Sequence, residues 1–272
     1  MIPEYIIIII LGAVTGILLL FCQRQAKKLR VLKKDIIEKE NQLCAVREEN
    51  DSLCYSISHD LRAPLRAVSG FSRLLLKKDD NKLDATSREY LEVISDSVKQ
   101  INDYIEGILI FSRIGRQCLN LNRVNMELVA KEVTEKLKDQ EKDRNTEVTI
   151  QKMPELIADE NLMRCAFLNV VENAFKFTRA RNKARIEIEC RKKGETYLFS
   201  VKDNGVGFDM NYSDKVFGLF QRLHSNTDFE GAGIGLALTR RIIQKHSGQV
   251  WIESEVDKGA TFYFSLPVIK QA

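Results

Sequence analysis

Paired cysteines, zinc-type spacings and an excess of charge of one sign are all missing from this chain. Its 42 Lys and Arg stand against 38 Asp and Glu, a net charge of +4. A balance that small excludes the strongly basic surface by which proteins hold nucleic acid, so no nucleic-acid partner is expected. The 6 cysteines are scattered with no Cys-x-x-Cys pair. Disulfide and metal frameworks are therefore not expected, and a reducing compartment fits best. No glycine cluster is followed by Gly-Lys-Ser/Thr, which excludes a Walker loop. None has the Rossmann arrangement of strand, Gly-x-Gly-x-x-Gly, helix and later acid. What remains is ordinary for a globular protein, 44% hydrophobic and 29% charged, with room for one or two domains plus extras.

One stretch departs from that composition. Tyr5 to Cys22 is uncharged and almost wholly apolar. At 1.5 Å per residue it spans about 27 Å, close to the roughly 30 Å hydrocarbon core of a bilayer. A signal peptide would put its positive charge before the run and a small-residue cleavage site after it. Here Arg24, Lys27, Lys28, Arg30, Lys33 and Lys34 follow instead. The reading is an uncleaved, single-pass anchor over residues 1–22, set in membrane lipid, with the carboxyl side cytoplasmic. Only about four residues precede the run, so no external sensor domain is expected. A signal would enter through the bilayer, the linker or a membrane sensor partner.

Residues 23–50 read as a coiled-coil linker. Heptad position a holds Leu29, Ile36, Leu43, Asn50 and Ile57, and position d holds Leu32, Lys39, Val46 and Leu53. Seven of these nine are apolar, which favours a parallel homodimer, with Asn50 and Lys39 setting register at some cost in stability. The same helix is predicted to continue, with Leu61, Leu65, Val68 and Leu75 as its stripe. Leu91, Ile94, Val98, Ile101, Ile105 and Ile108 mark a second helix with bundle spacing. Lys77 to Asn81 would join the two as a hairpin, and two hairpins would complete a four-helix bundle over residues 51–117.

Within that hairpin lies Ser58-His59-Asp60-Leu61-Arg62-Ala63-Pro64-Leu65. His59 sits roughly 200° around the helix from both Ile57 and Leu61, so it should face solvent. A neutral imidazole attacks phosphorus through its unprotonated nitrogen, and an ordinary pKa of about 6.5 leaves much of it neutral at pH 7. A carboxylate on the other nitrogen would orient the ring and take its proton, and Asp60 is the candidate. Pro64 removes the amide that would bond the Asp60 carbonyl and should kink the helix. Arg62 is either a solvated charge or a partner for the incoming phosphate.

Beyond Gly115, Asn120 to Arg123 reads as a linker, and elements then alternate over residues 118–272. Helices are predicted at Met126–Lys142, Asn161–Thr178 and Ile234–His246. Strands are predicted at Glu147–Ile150, Arg185–Arg191, Tyr197–Lys202, Gln249–Ser254 and Thr261–Leu266. This makes a two-layer α/β sandwich with the helices on one face of a mixed sheet.

Three clusters in this region carry chemistry. Asn169 and Asn173 share a helix face, and an amide oxygen is a reasonable hard ligand for Mg²⁺. Lys176 follows on that face and can neutralise phosphate charge. Asp203 ends a strand and is followed by Gly205 and Gly207, which permit positive φ and close approach of a planar base. Gly231, Gly233 and Gly235 precede a helix, where backbone amides and the helix start can cradle phosphates. Between the glycine clusters, Asp209 to Glu230 is long enough for a lid, with Phe217, Leu219 and Phe220 as anchors. His246 reads as a packing or capping residue.

His-Asp-x-Arg-x-Pro, the run Asn169–Phe177, the two glycine clusters and Phe220-Gln221-Arg222-Leu223-His224, in this order, resemble the sensor histidine kinases. The resemblance covers roughly Leu53 to Pro267 and is nearest to the phytochrome-type branch. It implies a dimerising hairpin followed by an ATP-binding domain of the GHKL type, with autophosphorylation of His59 from Mg-ATP. The phosphoryl group would then pass to an aspartate on the receiver domain of a separate response regulator. It assigns the metal to Asn173, with Asn169 nearby and Glu172 acting through a metal-bound water. It has Asp203 accept from the adenine amino group, and it likens Arg222 and His224 to lid residues that reach phosphate. It places such a protein at the bacterial inner membrane. One residue departs from the family pattern. Ala63 stands four after the histidine, where a Thr or Asn positions water in members that also dephosphorylate their partner. Two other classes compete: a GHKL-type ATPase or serine kinase, and a membrane scaffold that binds nucleotide without transferring phosphate.

Overall fold

The computed structural model describes the backbone of residues 4–78, 84–141, 144–223 and 231–268, and the side chains it describes begin at Arg24. The predicted anchor at Tyr5–Cys22 therefore lies outside the described side chains. Among the described residues, no helix is long and apolar enough to cross a membrane. The chain divides into two units, Met1–Ile57 and Ser58–Ala272.

The first unit is helical, part of α1 (Glu4–Lys78). Of its heptad positions, Leu29, Ile36, Val46 and Ile57 are each more than half exposed, and Lys39 is exposed too. A single copy leaves these described positions uncovered.

In the second unit α1 runs on through Pro64 to Lys78 without ending, and α2 covers Ala85–Arg116. Asp84 caps α2, its carboxylate accepting from the Ser87 amide at 2.7 Å. Of the predicted connection Lys77–Asn81, Lys77 and Lys78 still belong to α1, and residues 79–81 lie outside the described residues. The predicted seam of α2 is split. Val98 and Ile105 are buried, while Ile94 and Ile101 are exposed, together with Leu61, Val68, Phe71 and Leu75 of α1. Apolar residues left in water on both helices are what half of a bundle presents.

The rest of this unit is the predicted sandwich. Helices α3 (Met126–Gln140), α4 (Glu160–Phe177) and α5 (Gly235–Lys245) pack on a five-stranded sheet. Its strands are β2 (Thr146–Ile150), β4 (Ala184–Lys193), β5 (Thr196–Asp203), β6 (Gln249–Glu255) and β7 (Gly259–Pro267), in the order β2-β4-β5-β7-β6. β2 runs parallel to β4 and the other pairs are antiparallel. Alternate residues of β4 are buried, Ala184, Ile186 and Ile188, because successive side chains of a strand point to opposite faces. Phe199 and Phe264 stack at 4.6 Å, and Phe167 of α4 meets Phe264 edge-on at 5.5 Å. These rings join the helical layer to the sheet.

Two strands were not anticipated. β1 (Asn122–Asn125) and β3 (Glu155–Ala158) pair antiparallel as a separate ribbon. Part of the predicted linker Asn120–Arg123 is thus strand. Neither Asn-Arg-Val-Asn nor Glu-Leu-Ile-Ala alternates apolar with polar residues, so only the pairing reveals them.

Candidate functional site

His59 projects into solvent, with its side chain 75% exposed. Its Nδ1 lies 3.2 Å from the Asp60 carboxylate. The contact between adjacent helix residues thus forms, and it leaves Nε2 directed away from Asp60. Arg62 is half-buried, whereas Ala63 and Pro64 are exposed.

The second centre is a cavity of about 460 Å³. Asn169, Glu172, Asn173 and Lys176 line it from α4, as the helical spacing predicts. The Asn169 amide Nδ2 donates to the Cys165 sulfur one turn earlier at 3.8 Å. Lys176 places its ammonium 4.4 Å over the Phe177 ring. Glu172 is exposed at the rim and Asn173 is half-buried.

On the sheet side stands Asp203. Its Oδ1 accepts from the amides of Gly205 at 2.8 Å and Ala260 at 3.3 Å. Burial pushes its pKa from 3.8 up to about 6, against the pull of those two amides. With Oδ1 taken, Oδ2 is the oxygen left for a donor in the cavity. The two glycines that follow serve different needs. Gly207 has φ 61 and lies against the Glu255 carbonyl, which a Cβ would approach to 2.0 Å. Gly205 is not in the left-handed region, contrary to the expectation for both. It is needed because a Cβ there would sit 2.6 Å from the Phe177 carbonyl oxygen.

The second glycine cluster enters α5. Gly231 and Gly233 have φ 124 and 69. Gly235 is the first residue of α5, a helix with no side-chain cap. Its opening amides therefore face the cavity without a protein acceptor from a capping side chain. A Cβ on Gly235 would meet Asn169 Oδ1 at 3.2 Å, so α4 and α5 close on each other here. Arg222 also lines the cavity. His224 lies outside the described residues, as does the rest of the lid through residue 230. The described part of the lid, residues 209–223, contains two short 3₁₀ turns, Met210–Tyr212 and Lys215–Phe217.

Sequence reasoning missed the wall supplied by α2. Asp103, Glu106, Gly107 and Ile110 also line the cavity. Gly107 sits directly against Ile234, where a Cβ would overlap that side chain at 1.9 Å. The Arg241 guanidinium of α5 lies 4.2 Å over the Phe111 ring, and Lys245 donates to the Gly115 carbonyl at 3.1 Å. Both cations thus meet the carboxyl end of α2, where its dipole favours positive charge. Phe220 joins the lid to the same helix. Its amide donates to the Gly233 carbonyl at 2.9 Å, and its ring lies 4.8 Å from Tyr104. Phe220 holds φ 62, a strained value for a residue with a Cβ.

His246 has the structural role expected of it. Its Nε2 accepts from the Asp159 amide at 3.0 Å, and its Nδ1–H donates to the Ile242 carbonyl at 2.8 Å. Burial lowers its pKa, which keeps this neutral tautomer. Among the described residues no group of His, Cys, Asp and Glu could hold a metal by protein ligands alone.

Comparison with known proteins matches two segments of the chain. Residues 50–117 match the phospho-acceptor domain of His Kinase A, and residues 158–270 match the histidine kinase-, DNA gyrase B- and HSP90-like ATPases. Cyanobacterial phytochrome A of Nostoc sp. is 32% identical over 245 residues, 90% of this chain and 31% of that protein. The methanogenesis regulatory histidine kinase FilI of Methanothrix harundinacea is 32% identical over 237 residues, covering 86% and 26%. The chain thus spans about a third or less of the length of these curated relatives. Among solved structures, full-length ShkA in complex with AMPPNP is 29% identical with a TM-score of 0.59, over 81% of this chain and 46% of that one. An exposed imidazole with a carboxylate at Nδ1, a phospho-acceptor domain around it and an ATPase domain after it place this chain in one family: it belongs to the sensor histidine kinases.

Proposed function

We propose that the chain transfers the γ-phosphoryl group of ATP to Nε2 of His59 and then to an aspartate of a separate response regulator. The observation that carries this reading is the Asp60 contact at Nδ1. A carboxylate there holds the proton on Nδ1, so the lone pair is on Nε2, the nitrogen open to solvent. Attack forms the P–Nε2 bond as the bond from the γ-phosphorus to the β–γ bridging oxygen breaks, and ADP leaves with that electron pair. Asp60 stabilises the positive charge left on the ring and accepts its Nδ1 proton. The protein's part is positioning and charge neutralisation, as is usual for phosphoryl transfer.

In the cavity, the Asp203 Oδ2 takes the adenine amino group. The glycine cluster and the start of α5 take the phosphates, with Lys176 and Arg222 balancing their charge. The donor set on α4 suits Mg²⁺: Asn173, with Asn169 nearby, would supply amide oxygen, and the rim carboxylate Glu172 would act through a metal-bound water, leaving the rest of the coordination to phosphate and water. Mg²⁺ bound there would draw charge from the phosphate oxygens.

The exposed stripes on α1 and α2 support a homodimer built as a four-helix bundle. The apolar run Tyr5–Cys22 with its basic flank supports a single-pass anchor in the bacterial inner membrane, with the catalytic part cytoplasmic. A response regulator as partner is supported by a solved complex of the histidine kinase ThkA with the response regulator protein TrrA, whose kinase shares this fold.

The test is incubation of the full chain in lipid with γ-labelled ATP and Mg²⁺, beside His59→Ala. Acid-labile, alkali-stable label that disappears in the variant is expected. Acid-stable label would point to a serine kinase of the same nucleotide fold, and ATP binding with no label would point to a scaffold.

A further inference from the structure

Arg181 follows α4 and does not line the cavity, yet its guanidinium gathers three backbone carbonyls behind the base-recognition loop. Nε donates to Asn204 at 2.9 Å, and Nη2 donates to Gly205 at 2.9 Å and to Asp257 at 2.6 Å. These carbonyls belong to the two segments whose amides hold Asp203. Gly205 is gripped on both sides, its carbonyl by Arg181 and its N–H by Asp203 Oδ1. The turn containing Asp257 leads into β7, where Ala260 supplies the second amide. Asp257 holds φ 63 and ties back to the loop through its amide, which donates to the Val206 carbonyl at 2.7 Å. Without a guanidinium, three carbonyls converge with no shared donor, and the strained turn keeps its amide tie to Val206 but loses the one through the Asp257 carbonyl.

We propose that Arg181 is a positioning residue for base selection: by fixing the backbone on both sides of Asp203 it aims Oδ2 at the 6-amino group of adenine. Hydrogen-bond strength falls steeply with angle, so a small rotation of the carboxylate costs most of that contact. Arginine suits the task because its rigid planar fork serves several acceptors at once, whereas a lysine ammonium would bind as a compact, mobile charge. Its ion pair with the Asp257 carboxylate, 3.8 Å away and exposed, contributes little. The action runs through backbone geometry.

The inference rests on the reading of Asp203 as the adenine acceptor, and the test separates the two. Affinities of the full chain for ATP and for purine riboside triphosphate, which lacks the 6-amino group, are measured by calorimetry for wild type, Arg181→Met and Arg181→Lys. Wild type should prefer ATP by about tenfold or more, the worth of one hydrogen bond to a charged acceptor. Arg181→Met should cut that preference to about threefold or less while its affinity for the analogue stays within about twofold of wild type. Arg181→Lys, which keeps the charge and can reach one carbonyl, should fall between. A general loosening of the fold would weaken both nucleotides alike, and that result overturns the proposal. So does an unchanged preference in Arg181→Met, or in Arg181→Lys should the methionine variant not fold. A wild-type protein indifferent to the 6-amino group overturns the Asp203 reading itself, and the role of Arg181 with it.

Discussion

Asp203→Asn should make the nucleotide-free protein more stable while removing most of its affinity for ATP. Burial raises the Asp203 pKa from 3.8 to about 6. At about 1.4 kcal/mol per pH unit, the ionised carboxylate therefore costs the folded state about 3 kcal/mol at pH 7. Asparagine removes the charge, and its Oδ1 can still accept from Gly205 and Ala260. Up to about 3 kcal/mol should be recovered, less whatever those two bonds lose when their acceptor is no longer ionised. Binding moves the other way. Nδ2 would replace Oδ2 and set a donor against the adenine amino donor, weakening ATP by about tenfold to a hundredfold. The pH dependence has a definite sign. The folded pKa is raised, so stability from this group is complete below about 3.8 and is lost as pH rises through about 6. The wild type should therefore gain on the variant by about 1.4 kcal/mol between pH 7 and pH 5, close to half of the variant's advantage. Denaturant unfolding of both proteins without nucleotide at the two pH values measures this, and calorimetry measures ATP binding. A variant less stable than wild type at pH 7, or an advantage that does not shrink toward pH 5, would refute the reasoning.

Other changes test other parts of the site. Asn173→Ala should abolish autophosphorylation and leave the dimer intact, checked by labelling beside sedimentation. Asp60→Ala should slow phosphoryl transfer yet keep ATP affinity within about threefold, and normal transfer rates would remove Asp60 from the mechanism. Ala63 has no side-chain hydrogen bond with which to place a water, so Mg-dependent dephosphorylation of a labelled response regulator should be near background. His246 has a lowered folded pKa. Its contribution to stability should be present above about 6.5 and lost as pH falls, and His246→Leu should lose stability at pH 7 and flatten that dependence in unfolding titrations.

Much of this protein was legible wherever the physics is local. The i, i+4 geometry of a helix puts Asn169, Asn173 and Lys176 on one face whatever surrounds them, and the structure finds them together on the cavity wall. Period-two alternation marked β4, and helical periodicity bounded α3 and α4 to within a few residues. The exposure of His59 followed from its angle to Ile57 and Leu61. Resemblance supplied the roles, since no spacing says that a carboxylate receives adenine.

Tertiary structure alone decided the rest, because each remaining feature joins residues far apart in sequence. The ribbon of β1 and β3 exists only through pairing across about thirty residues. His246 and Asp159 meet through a hydrogen bond between elements that give no local sign of each other. The α2 wall, with Gly107 against Ile234 and Arg241 over Phe111, depends on where the hairpin packs. Gly205 is glycine because of the Phe177 carbonyl beside it, not because of its own dihedral angles. Arg181 reads in sequence as one more surface cation. Only when the chain closes do its three carbonyls arrive at one point, because a backbone acceptor carries no side-chain signature of where it will be needed.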